Sequence, residues 1–338
     1  MLKFTGDISL TDGYFDFGFG IGTNIAQGFN PFAHLNRQPE DCWIGNFEGV
    51  ASDTSNQKGN AAKMFRVEPK VLASLKHFDV YGFANNHAMQ HGEDAYWNTV
   101  EALRSYGSKV FGMDIERTAI FEHQGRQVAL VGMCLRVDAF ADNPAYWYNP
   151  EYAEIEEELA KLPKEAFKVL YVHWGNEYIN RPSVAQKKFA HWLIDAGFDL
   201  IIGMHPHVLQ GYENYKGGRI YYSLGNFVFD MASEPCKYGA IVSVDFSQGK
   251  PVYKEEYVKI GADCAPVPIE EKDVPAAFAF GYLNEMLIKE DNSEEYHAEI
   301  MRGYKAYRKE NRKIIIKNMF RHPKAGLAMV MDFVKRRL

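Results

Sequence analysis

Residues 200–207 read Leu-Ile-Ile-Gly-Met-His-Pro-His, an apolar run that ends in two histidines separated by a proline. The apolar part is typical of a buried β-strand. Because Pro206 fixes its own φ angle, the two imidazoles have a preset relative geometry. Burying two imidazoles without partners costs several kcal/mol, whereas a cation beside them satisfies both. His205 and His207 are therefore the strongest indication of a metal site in the chain.

The same pattern, an apolar run followed by a compact polar motif, occurs at four earlier points. When many strands of one sheet end in Asp, Glu, Asn or His, their side chains gather at one rim of the sheet, where metal ions find oxygen and imidazole ligands. The sequence therefore predicts the metal site of a metal-dependent hydrolase. The four earlier motifs are Gly6-Asp7, Asn46-Phe47-Glu48-Gly49, Asn85-Asn86-His87 and His173-Trp174-Gly175.

Each of these motifs also has a simpler structural explanation when it is taken alone. Gly-Asp, as at Asp7, is a common turn, and Asn46 and Glu48 point to one side of an extended segment but also suit a turn. The polar run 85–87 must lie in a loop and is also compatible with a helix N-cap. A lone histidine such as His173 is more often a satisfied core residue. Only the combination of motifs favours a metal site.

Composition indicates a globule with a sizeable core. The chain has 338 residues, 46% hydrophobic and 24% charged, which suggests one large domain or one domain with an appendage. Asp7 and Asp12 interrupt the apolar character of the N-terminus, and no window approaches the roughly 18 apolar residues of a membrane span. We therefore expect a cytoplasmic protein. The four widely spaced cysteines, which form no CxxC pair, are expected to be reduced core thiols: Cys42, Cys134, Cys236 and Cys264.

Charge is distributed unevenly along the chain. Residues 302–338 contain 12 Lys or Arg and two acidic residues, a net +10, whereas the rest has 26 Lys or Arg and 42 acidic residues, a net −16. This asymmetry suggests an appendage that contacts something anionic: a membrane surface, a polymer or the acidic body of the same protein. A solvated helical face is the simpler alternative. Apolar residues recur there at helical spacing beside basic ones, which leaves a peripheral membrane contact open: Leu327, Val330, Met331 and Val334.

The acidic body and its lack of a basic, aromatic-interleaved face argue against a nucleic-acid partner. Along this body, helical and strand-like patterns alternate, and two strand pairs resemble hairpins, so mixed sheets are expected rather than a purely parallel sheet. Helical patterns cover 68–78, 93–106, 151–161 and 183–196 and continue from about 273, the hairpin patterns cover 118–131 and 240–258, and 138–150 reads as a loop.

The ordered set of motifs is more specific than any one of them. Gly-Asp, Asn-Phe-Glu-Gly, Ala-Asn-Asn-His, His-Trp-Gly-Asn-Glu-Tyr, Gly-Met-His-Pro-His-Val-Leu-Gln-Gly and Ser-Leu-Gly-Asn-Phe-Val-Phe-Asp follow one another along residues 2–245. The set closely resembles the CapA family, the capsule and poly-gamma-glutamate biosynthesis proteins of the calcineurin-like metallophosphoesterase superfamily. The basic C-terminal segment is not part of the resemblance.

The resemblance implies a fold and a set of site residues. The fold is a four-layer α/β/β/α sandwich of two mixed sheets over residues 1–265, followed by a helical basic C-terminal extension over 266–338. His87 resembles the catalytic acid of the superfamily, and we expect substrate contacts from Asn85, Glu177, Arg181 and Asn226, although a turn at Asn226 and a surface role for Arg181 are simpler alternatives. The implied metal ligands are Asp7, Glu48, Asn86, His173, His205 and His207.

Two departures from the superfamily pattern bear on the metal count. The superfamily usually opens with Asp-x-His, but no histidine lies near Asp7, so one metal position is either poorer in ligands or completed by Glu48. The asparagine-histidine motif, which often continues to an aspartate, here continues as 88–92, Ala-Met-Gln-His-Gly. We therefore expect one or two divalent ions, Mn²⁺, Fe²⁺ or Zn²⁺, because mixed oxygen and imidazole ligands suit these metals.

The expected function is hydrolysis of a phosphoester in capsular or cell-surface polymer metabolism, with His87 protonating the leaving group. The substrate is expected to be an anionic small molecule or polymer. The alternative is a non-hydrolytic accessory protein of capsule or poly-gamma-glutamate biosynthesis or export that binds an acidic polymer. The basic C-terminal segment would then contact the inner membrane surface or the capsule machinery. A degenerate scaffold without chemistry is the third interpretation.

Overall fold

The computed structural model describes residues 1–11, 21–231, 233–288 and 293–335. Its strands are mostly short, and several end directly before a polar motif noted above. In chain order they are β1 (Leu2–Ile8), β2 (Cys42–Phe47), β3 (Val50–Ala51), β4 (Arg66–Val67), β5 (Val80–Gly82), β6 (Lys109–Phe111), β7 (Thr118–His123), β8 (Arg126–Cys134), β9 (Phe167–His173), β10 (Leu200–Met204), β11 (Tyr212–Tyr215), β12 (Gly218–Tyr221), β13 (Asn226–Val228), β14 (Tyr238–Asp245), β15 (Val252–Ile260) and β16 (Pro266–Ile269).

The helices are concentrated between the strands and at the C-terminal end. They are α1 (Ile21–Ala26), α2 (Glu93–Ser105), α3 (Tyr152–Lys161), α4 (Val184–Ala196), α5 (Phe280–Met286), α6 (Ser293–Arg321) and α7 (Pro323–Lys335). Short 3₁₀ segments cover Gly59–Lys63, Pro69–His77, Glu234–Lys237, Glu271–Asp273 and Ala276–Phe278. None of the helices in the described part of the chain combines the length and apolar composition that a bilayer span needs.

The strands form two large mixed sheets. The first has the order β16-β15-β14-β1-β2-β5-β6, with β13 also paired to β1. Its β1, β2, β5 and β6 run parallel, while β14 to β16 run antiparallel to their neighbours. The second has the order β11-β12-β10-β9-β8-β7, with parallel strands at its centre and an antiparallel strand at each edge. The expectation of mixed sheets is confirmed.

Alternation of side chains along the strands builds the layers, because successive residues of a strand point to opposite faces. In β2, Ile44 packs in a core shared with Ile202 of the second sheet, so this core lies between the sheets. The neighbouring Trp43 packs with residues of α2 and of the 3₁₀ segment Pro69–His77 on the other face. In β10, Ile201 packs with residues of α3 and α4. The four-layer α/β/β/α architecture is therefore confirmed.

Local predictions are mostly confirmed by the elements observed. The two hairpins are present as β7 with β8 and β14 with β15, and α4 begins after Ser183, whose Oγ accepts a hydrogen bond from Gln186 N at 3.1 Å. The helix predicted over 68–78 is instead the 3₁₀ segment Pro69–His77, with Val71, Leu72 and Leu75 buried as expected. Over nine residues the periods of 3.0 and 3.6 bury the same positions, so the pattern could not separate the two helix types.

The C-terminal helices pack on the body. The ring of Tyr307 in α6 stacks on Tyr178, with 4.2 Å between centroids, and α7 folds back against α6 and the 3₁₀ segment Gly59–Lys63. The first sheet continues through β16, and the domain boundary at residue 265 stays a prediction. Arg336 and Arg337 of the predicted basic segment lie outside the described residues.

Candidate metal centre

The polar motifs converge where the carboxyl ends of parallel strands from both sheets meet. Asp7 lies near the end of β1, Glu48 follows β2, His173 ends β9 and His205 follows β10. We expected the strands of one sheet to form the rim. The structure corrects this, because β1 and β2 belong to the first sheet and β9 and β10 to the second. The site is therefore a seam between the two sheets.

Asp7 is fully buried at the centre of this seam. A Cβ on Gly6 would lie 1.8 Å from Gly225 O, so only glycine lets β1 approach the turn before β13 this closely. The Oδ1 atom of Asp7 accepts a hydrogen bond from Asn46 Nδ2 at 2.8 Å, and Oδ2 accepts one from His205 N at 3.1 Å. Asp7 Oδ2 is also 3.6 Å from His207 Nδ1. The carboxylate of Asp7 is thus held against both histidines of the 205–207 turn.

The histidine turn itself adopts an uncommon backbone conformation. His205 has φ of 95° and His207 has φ of 58°, both in the left-handed region that residues other than glycine rarely adopt. Such conformations cost on the order of 1–3 kcal/mol each and persist where the surroundings enforce them. They direct His205 Nδ1 to within 3.1 Å of His173 Nε2. The same His173 atom is 2.8 Å from Asn86 Oδ1.

Glu48 and His207 form the second part of the site. His207 Nδ1 lies 2.9 Å from Asn226 Oδ1, which leaves Nε2 directed to Glu48 Oε1 at 3.7 Å. Glu48 Oε1 is also 3.7 Å from His87 Nε2. Both oxygens of Glu48 are buried and have no hydrogen-bond partner among the described residues. A buried carboxylate in this condition needs a cation or a proton.

The donor set fits a divalent metal ion. One ligand atom each from Asp7, Glu48 and His173 lies within 4.8 Å of the other two, and all three residues are buried. Within the described ranges, no Lys or Arg forms an ion pair with Asp7 or Glu48, and His205 Nε2 has no hydrogen-bond partner. Carboxylate oxygens and imidazoles are suitable ligands for Mn²⁺, Fe²⁺ and Zn²⁺.

Burial sets the protonation of the cluster without an ion. It raises the pKa of Asp7, against the opposing effect of His207, and raises that of Glu48 well above its usual range, with the nearby Asp7 and Glu177 carboxylates adding to the effect. Burial also holds the pKa of His173 and His205 well below the ordinary value, with the neighbouring imidazoles acting in the same direction. Neutral imidazoles are the form that binds a metal.

His87, the predicted catalytic acid, lies at the edge of the cluster. Its ring stacks on Phe65, with 3.7 Å between centroids and 8° between planes, and its Nδ1 lies 2.8 Å from Gln90 Oε1. Burial lowers the pKa of His87 to about 4, against the opposing effect of the Gln90 hydrogen bond. The contacts with Gln90 and Phe65 were not anticipated. The only sequence signal for the contact with Gln90 is its separation of three residues from His87, which suits a turn.

Two predicted substrate contacts lie beneath the ligand cluster. Asn85 Nδ2 donates to Phe47 O at 2.8 Å, and Asn85 Oδ1 accepts from His87 N at 3.2 Å, so this side chain holds the loop that carries His87. Asn226 Nδ2 donates to Cys236 O at 3.1 Å, and its oxygen faces His207. Both side chains are fully buried, and their roles in substrate binding stay predictions.

The other two predicted substrate contacts, Glu177 and Arg181, have different surroundings: Glu177 faces the cluster, and Arg181 faces α6. Glu177 Oε1 lies 3.9 Å from His207 Nε2, at the edge of the cluster. Arg181 is buried rather than exposed on the surface, and its Nε donates to Glu299 Oε2 of α6 at 2.7 Å. Its guanidinium also lies 5.2 Å from the ring centroid of Tyr296. A contact of Arg181 with substrate stays a prediction, while its contacts with Glu299 and Tyr296 tie it to the C-terminal helix.

Arg136 is a cation near the cluster that sequence reasoning missed. It follows β8 by two residues, next to the end of β9, because Cys134 is paired in register with His173. Its Nε is buried without a hydrogen-bond partner among the described residues. Its charge contributes, after burial and other influences, to the low pKa of His173 and His205. No motif marked it, because a single arginine after a strand is common in any sequence.

Fold and site together define an α/β/β/α protein with a buried carboxylate and imidazole cluster of the kind that binds divalent metals. The chain belongs to the family described as bacterial capsule synthesis protein PGA_cap, whose model matches residues 1–231. This confirms the family resemblance of the motifs.

Individual relatives agree with this family. The capsule biosynthesis protein CapA of Bacillus anthracis is 33% identical in an alignment of 219 residues that covers 59% of this chain and 53% of that protein. The PGA biosynthesis protein CapA of Bacillus subtilis strain 168 is 32% identical in an alignment of 220 residues that covers 60% of this chain and 57% of that protein. The chain therefore spans little more than half the length of these relatives.

Among solved structures, a putative 5'-nucleotidase from Staphylococcus aureus is similar in fold at a TM-score of 0.45 and 12% identity, over 84% of this chain and 57% of that chain. At this level of similarity, the chemistry of that protein is not transferred to this chain.

Proposed function

We propose that this protein is a metal-dependent hydrolase that acts on a phosphoester in capsular or cell-surface polymer metabolism. The observation that carries the proposal is the buried cluster of Asp7, Glu48 and His173, whose ligand atoms lie within 4.8 Å of one another. Membership of the capsule synthesis family supports the metabolic context.

The residues proposed to hold one or two divalent ions, Mn²⁺, Fe²⁺ or Zn²⁺, are Asp7, Glu48, Asn86, His173, His205 and His207. When bound, such an ion supplies Lewis-acid activation of water and of a phosphoryl oxygen. The support for this ligand set is the pair of partnerless Glu48 oxygens and the partnerless Nε2 of His205 within the described ranges.

His87 is the proposed general acid. Its Nδ1 proton is accepted by Gln90 Oε1 at 2.8 Å, so a second proton on Nε2 is free for transfer to the leaving oxygen. Burial lowers the pKa of His87 to about 4, and the negative charge of a bound phosphoester raises it again. Binding of the anionic substrate therefore favours the doubly protonated imidazole.

Arg136 is the proposed contact for the substrate anion. A guanidinium binds two phosphoryl oxygens at once, and Nε of Arg136 is buried without a protein partner among the described residues. Both an anionic small molecule and the phosphoester of a polymer carry a negative charge that the guanidinium of Arg136 can bind.

A metal analysis followed by an activity screen tests the proposal. Purified protein is assayed for bound metal and then for phosphatase and phosphodiesterase activity with added Mn²⁺. Bound metal and turnover that are lost in His205→Ala but kept in His34→Ala, an exposed histidine, are the expected results. If His205→Ala does not fold, as judged by circular dichroism, His205→Asn replaces it. A wild-type protein that binds no Mn²⁺, Fe²⁺ or Zn²⁺ contradicts the proposal.

The second candidate is an accessory protein without turnover that binds an acidic polymer. It is favoured by the net +10 charge of residues 302–338 beside a body of net −16, and by relatives whose names state a biosynthetic pathway rather than a reaction. Binding of poly-gamma-glutamate without hydrolysis of any phosphoester supports this candidate over the first.

The proposed cellular location depends on the same basic segment, residues 302–338. The protein is cytoplasmic in this proposal, and its basic C-terminal helices contact the inner membrane surface or the capsule machinery. In α7 an apolar row supports this, because its members are between 44% and 63% exposed: Leu327, Val330, Met331 and Val334. Cell fractionation with and without high salt is the direct measurement of location.

A further inference from the structure

Glu177 lies on the His207 side of the cluster, where the proposed metal ligands supply one imidazole nitrogen. On one side of Asp7, His173 Nε2 is grouped with Asn86 Oδ1 at 2.8 Å and His205 Nδ1 at 3.1 Å. On the other side, His207 Nε2 faces two carboxylates, Glu48 Oε1 at 3.7 Å and Glu177 Oε1 at 3.9 Å. Two carboxylates facing one imidazole nitrogen repel each other unless a cation lies between them.

The loop that carries Glu177 is fixed to the histidine turn. Tyr178 N donates to Pro206 O at 2.9 Å, so the residue after Glu177 is bonded to the residue between the two ligand histidines. Gly175 and Tyr178 have φ of 80° and 62°, which turns the loop back towards the site. Glu177 is therefore placed beside His207 by the backbone and not only by a flexible side chain.

A second element orients the carboxylate. Tyr304 of α6 donates its hydroxyl proton to Glu177 Oε2, and the rings of Tyr304 and Tyr178 pack edge to face at 5.2 Å. The preceding residue, Gly303, allows α6 close to Tyr178, because a Cβ there would lie 2.6 Å from Tyr178 O. Tyr304 donates to Oε2 of Glu177. The other oxygen, Oε1, accepts a long hydrogen bond from the Tyr178 hydroxyl at 3.5 Å and lies 3.9 Å from His207 Nε2.

We propose that Glu177 is a further ligand of the metal centre, on the His207 side, and that Tyr304 of the C-terminal helix is the residue that positions it. This inference rests on the proposed metal centre. It differs from the substrate contact expected from the sequence, because Glu177 Oε1 lies 3.9 Å from Nε2 of His207, one of the proposed ligands. It also gives α6, which lies outside the family-matched region 1–231, a part in the site.

Metal titration of the full chain tests the inference. Metal-depleted wild-type, Glu177→Gln and Tyr304→Phe proteins are titrated with Mn²⁺ by calorimetry, and bound metal is counted by mass spectrometry. Glu177→Gln keeps an acceptor for Tyr304 but loses the charge. It is expected to weaken Mn²⁺ binding by tenfold or more, or to lose one ion per chain, while Tyr304→Phe weakens binding by about tenfold through the loss of orientation.

A matched variant on the same helix separates positioning from simple packing. Tyr296→Phe removes a hydroxyl that contacts Asn176 and Arg181 O but not Glu177. We expect it to bind Mn²⁺ as the wild type does. Equal losses in Tyr296→Phe and Tyr304→Phe overturn the positioning role, because helix docking alone then explains both. Circular dichroism and melting temperature verify that all variants are folded.

The outcomes separate this inference from the proposed function. Wild-type affinity and metal count in Glu177→Gln overturn the inference while leaving the metal centre intact. A raised KM with unchanged Mn²⁺ affinity in this variant also overturns it, in favour of a substrate contact. Wild-type protein that binds no Mn²⁺ contradicts the proposed function itself.

Discussion

At the scale of single residues, the carboxylate of Glu48 has opposite effects on metal binding and on the metal-free fold. Burial and neighbouring carboxylates raise its pKa well above 4.5, so its charge is unfavourable in the folded protein without a cation. We expect Glu48→Gln to stabilise the metal-depleted protein at pH 7 by about 1–3 kcal/mol, because the neutral amide needs neither a buried charge nor the uptake of a proton on folding. The same variant is expected to lose the stabilisation that added Mn²⁺ gives the wild type.

The sign of the pH dependence follows from the raised pKa. The folded state binds the Glu48 proton more tightly than the unfolded state. The penalty is therefore absent below about pH 4.5, grows as pH rises above that value and is complete above the folded pKa. The stability gap between Glu48→Gln and metal-depleted wild type should therefore narrow as pH falls from 7 to 5. Denaturant unfolding in the presence of a chelator measures it, with the exposed Glu101→Gln as control. If the difference in unfolding free energy between Glu48→Gln and the metal-depleted wild type instead increases as pH falls, the raised pKa of Glu48 is contradicted.

His87 is expected to matter in proportion to the basicity of the leaving group. A general acid speeds departure of an alkoxide far more than departure of nitrophenolate, which leaves without a proton. We expect His87→Gln to reduce turnover of an alkyl phosphoester by about 10²-fold or more, and to reduce turnover of a nitrophenyl ester much less.

Metal content of His87→Gln should match the wild type, which distinguishes a proton donor from a ligand. Equal losses with both esters, measured under saturating Mn²⁺, would argue that His87 acts through the metal or through packing on Phe65.

At the scale of elements, the approach of β1 to the turn before β13 sets the position of Asp7. Gly6→Ala adds a Cβ 1.8 Å from Gly225 O, so the strand must move. We expect a melting temperature lowered by several degrees or a protein that fails to fold. Gly281→Ala in α5, whose Cβ would meet no atom within 4 Å, is the control and is expected to melt at the wild-type temperature or slightly above it. Equal melting temperatures in the two variants would contradict the tight approach.

The local sequence pattern was sufficient to predict which side chains form the candidate site, but not which sheets supply them. Asp7, Glu48 and His173 each lie at or just after the end of an apolar run, and this placement predicted that they would converge. That two sheets rather than one contribute to the rim depends on strand order, which period-2 alternation does not encode. The family resemblance, not the pattern, supplied the two-sheet architecture.

Contacts between distant segments were out of reach of the sequence. Tyr304 and Glu177 are separated by 127 positions, and Arg181 pairs with Glu299 at a separation of 118. Neither Tyr304 nor Glu299 stands out in the sequence of α6, because this helix has many polar residues. Only the docking of α6 on the loop after β9 reveals them.

At the scale of the whole molecule, the charge asymmetry predicts binding to anionic membranes. Each Lys or Arg near an anionic surface contributes about 1 kcal/mol, and the exposed apolar row of α7 adds insertion into the interface. We expect binding to vesicles that contain phosphatidylglycerol, weaker binding as salt rises, and no binding to vesicles of phosphatidylcholine alone.

A double variant in α7 identifies the surface involved. Val330→Asp with Val334→Asp should reduce vesicle binding at least tenfold in a co-sedimentation assay, since both side chains are exposed and neither is in the core. Ile115→Asp, at an 80% exposed apolar residue of the body, is the control and should bind like the wild type. Undiminished binding by the double variant would point to the basic residues alone or to another surface.

The pairing of β1 with β14 has a practical consequence for anyone who shortens the gene. A fragment limited to the family-matched residues 1–231 omits the strand that bonds to Leu2, Lys3 and Phe4. The strand that bears the central aspartate would then become an open flank, ready to pair with other chains. Such fragments should accumulate as inclusion bodies, so screening of homologues is better done with genes that extend through the last strand of the first sheet.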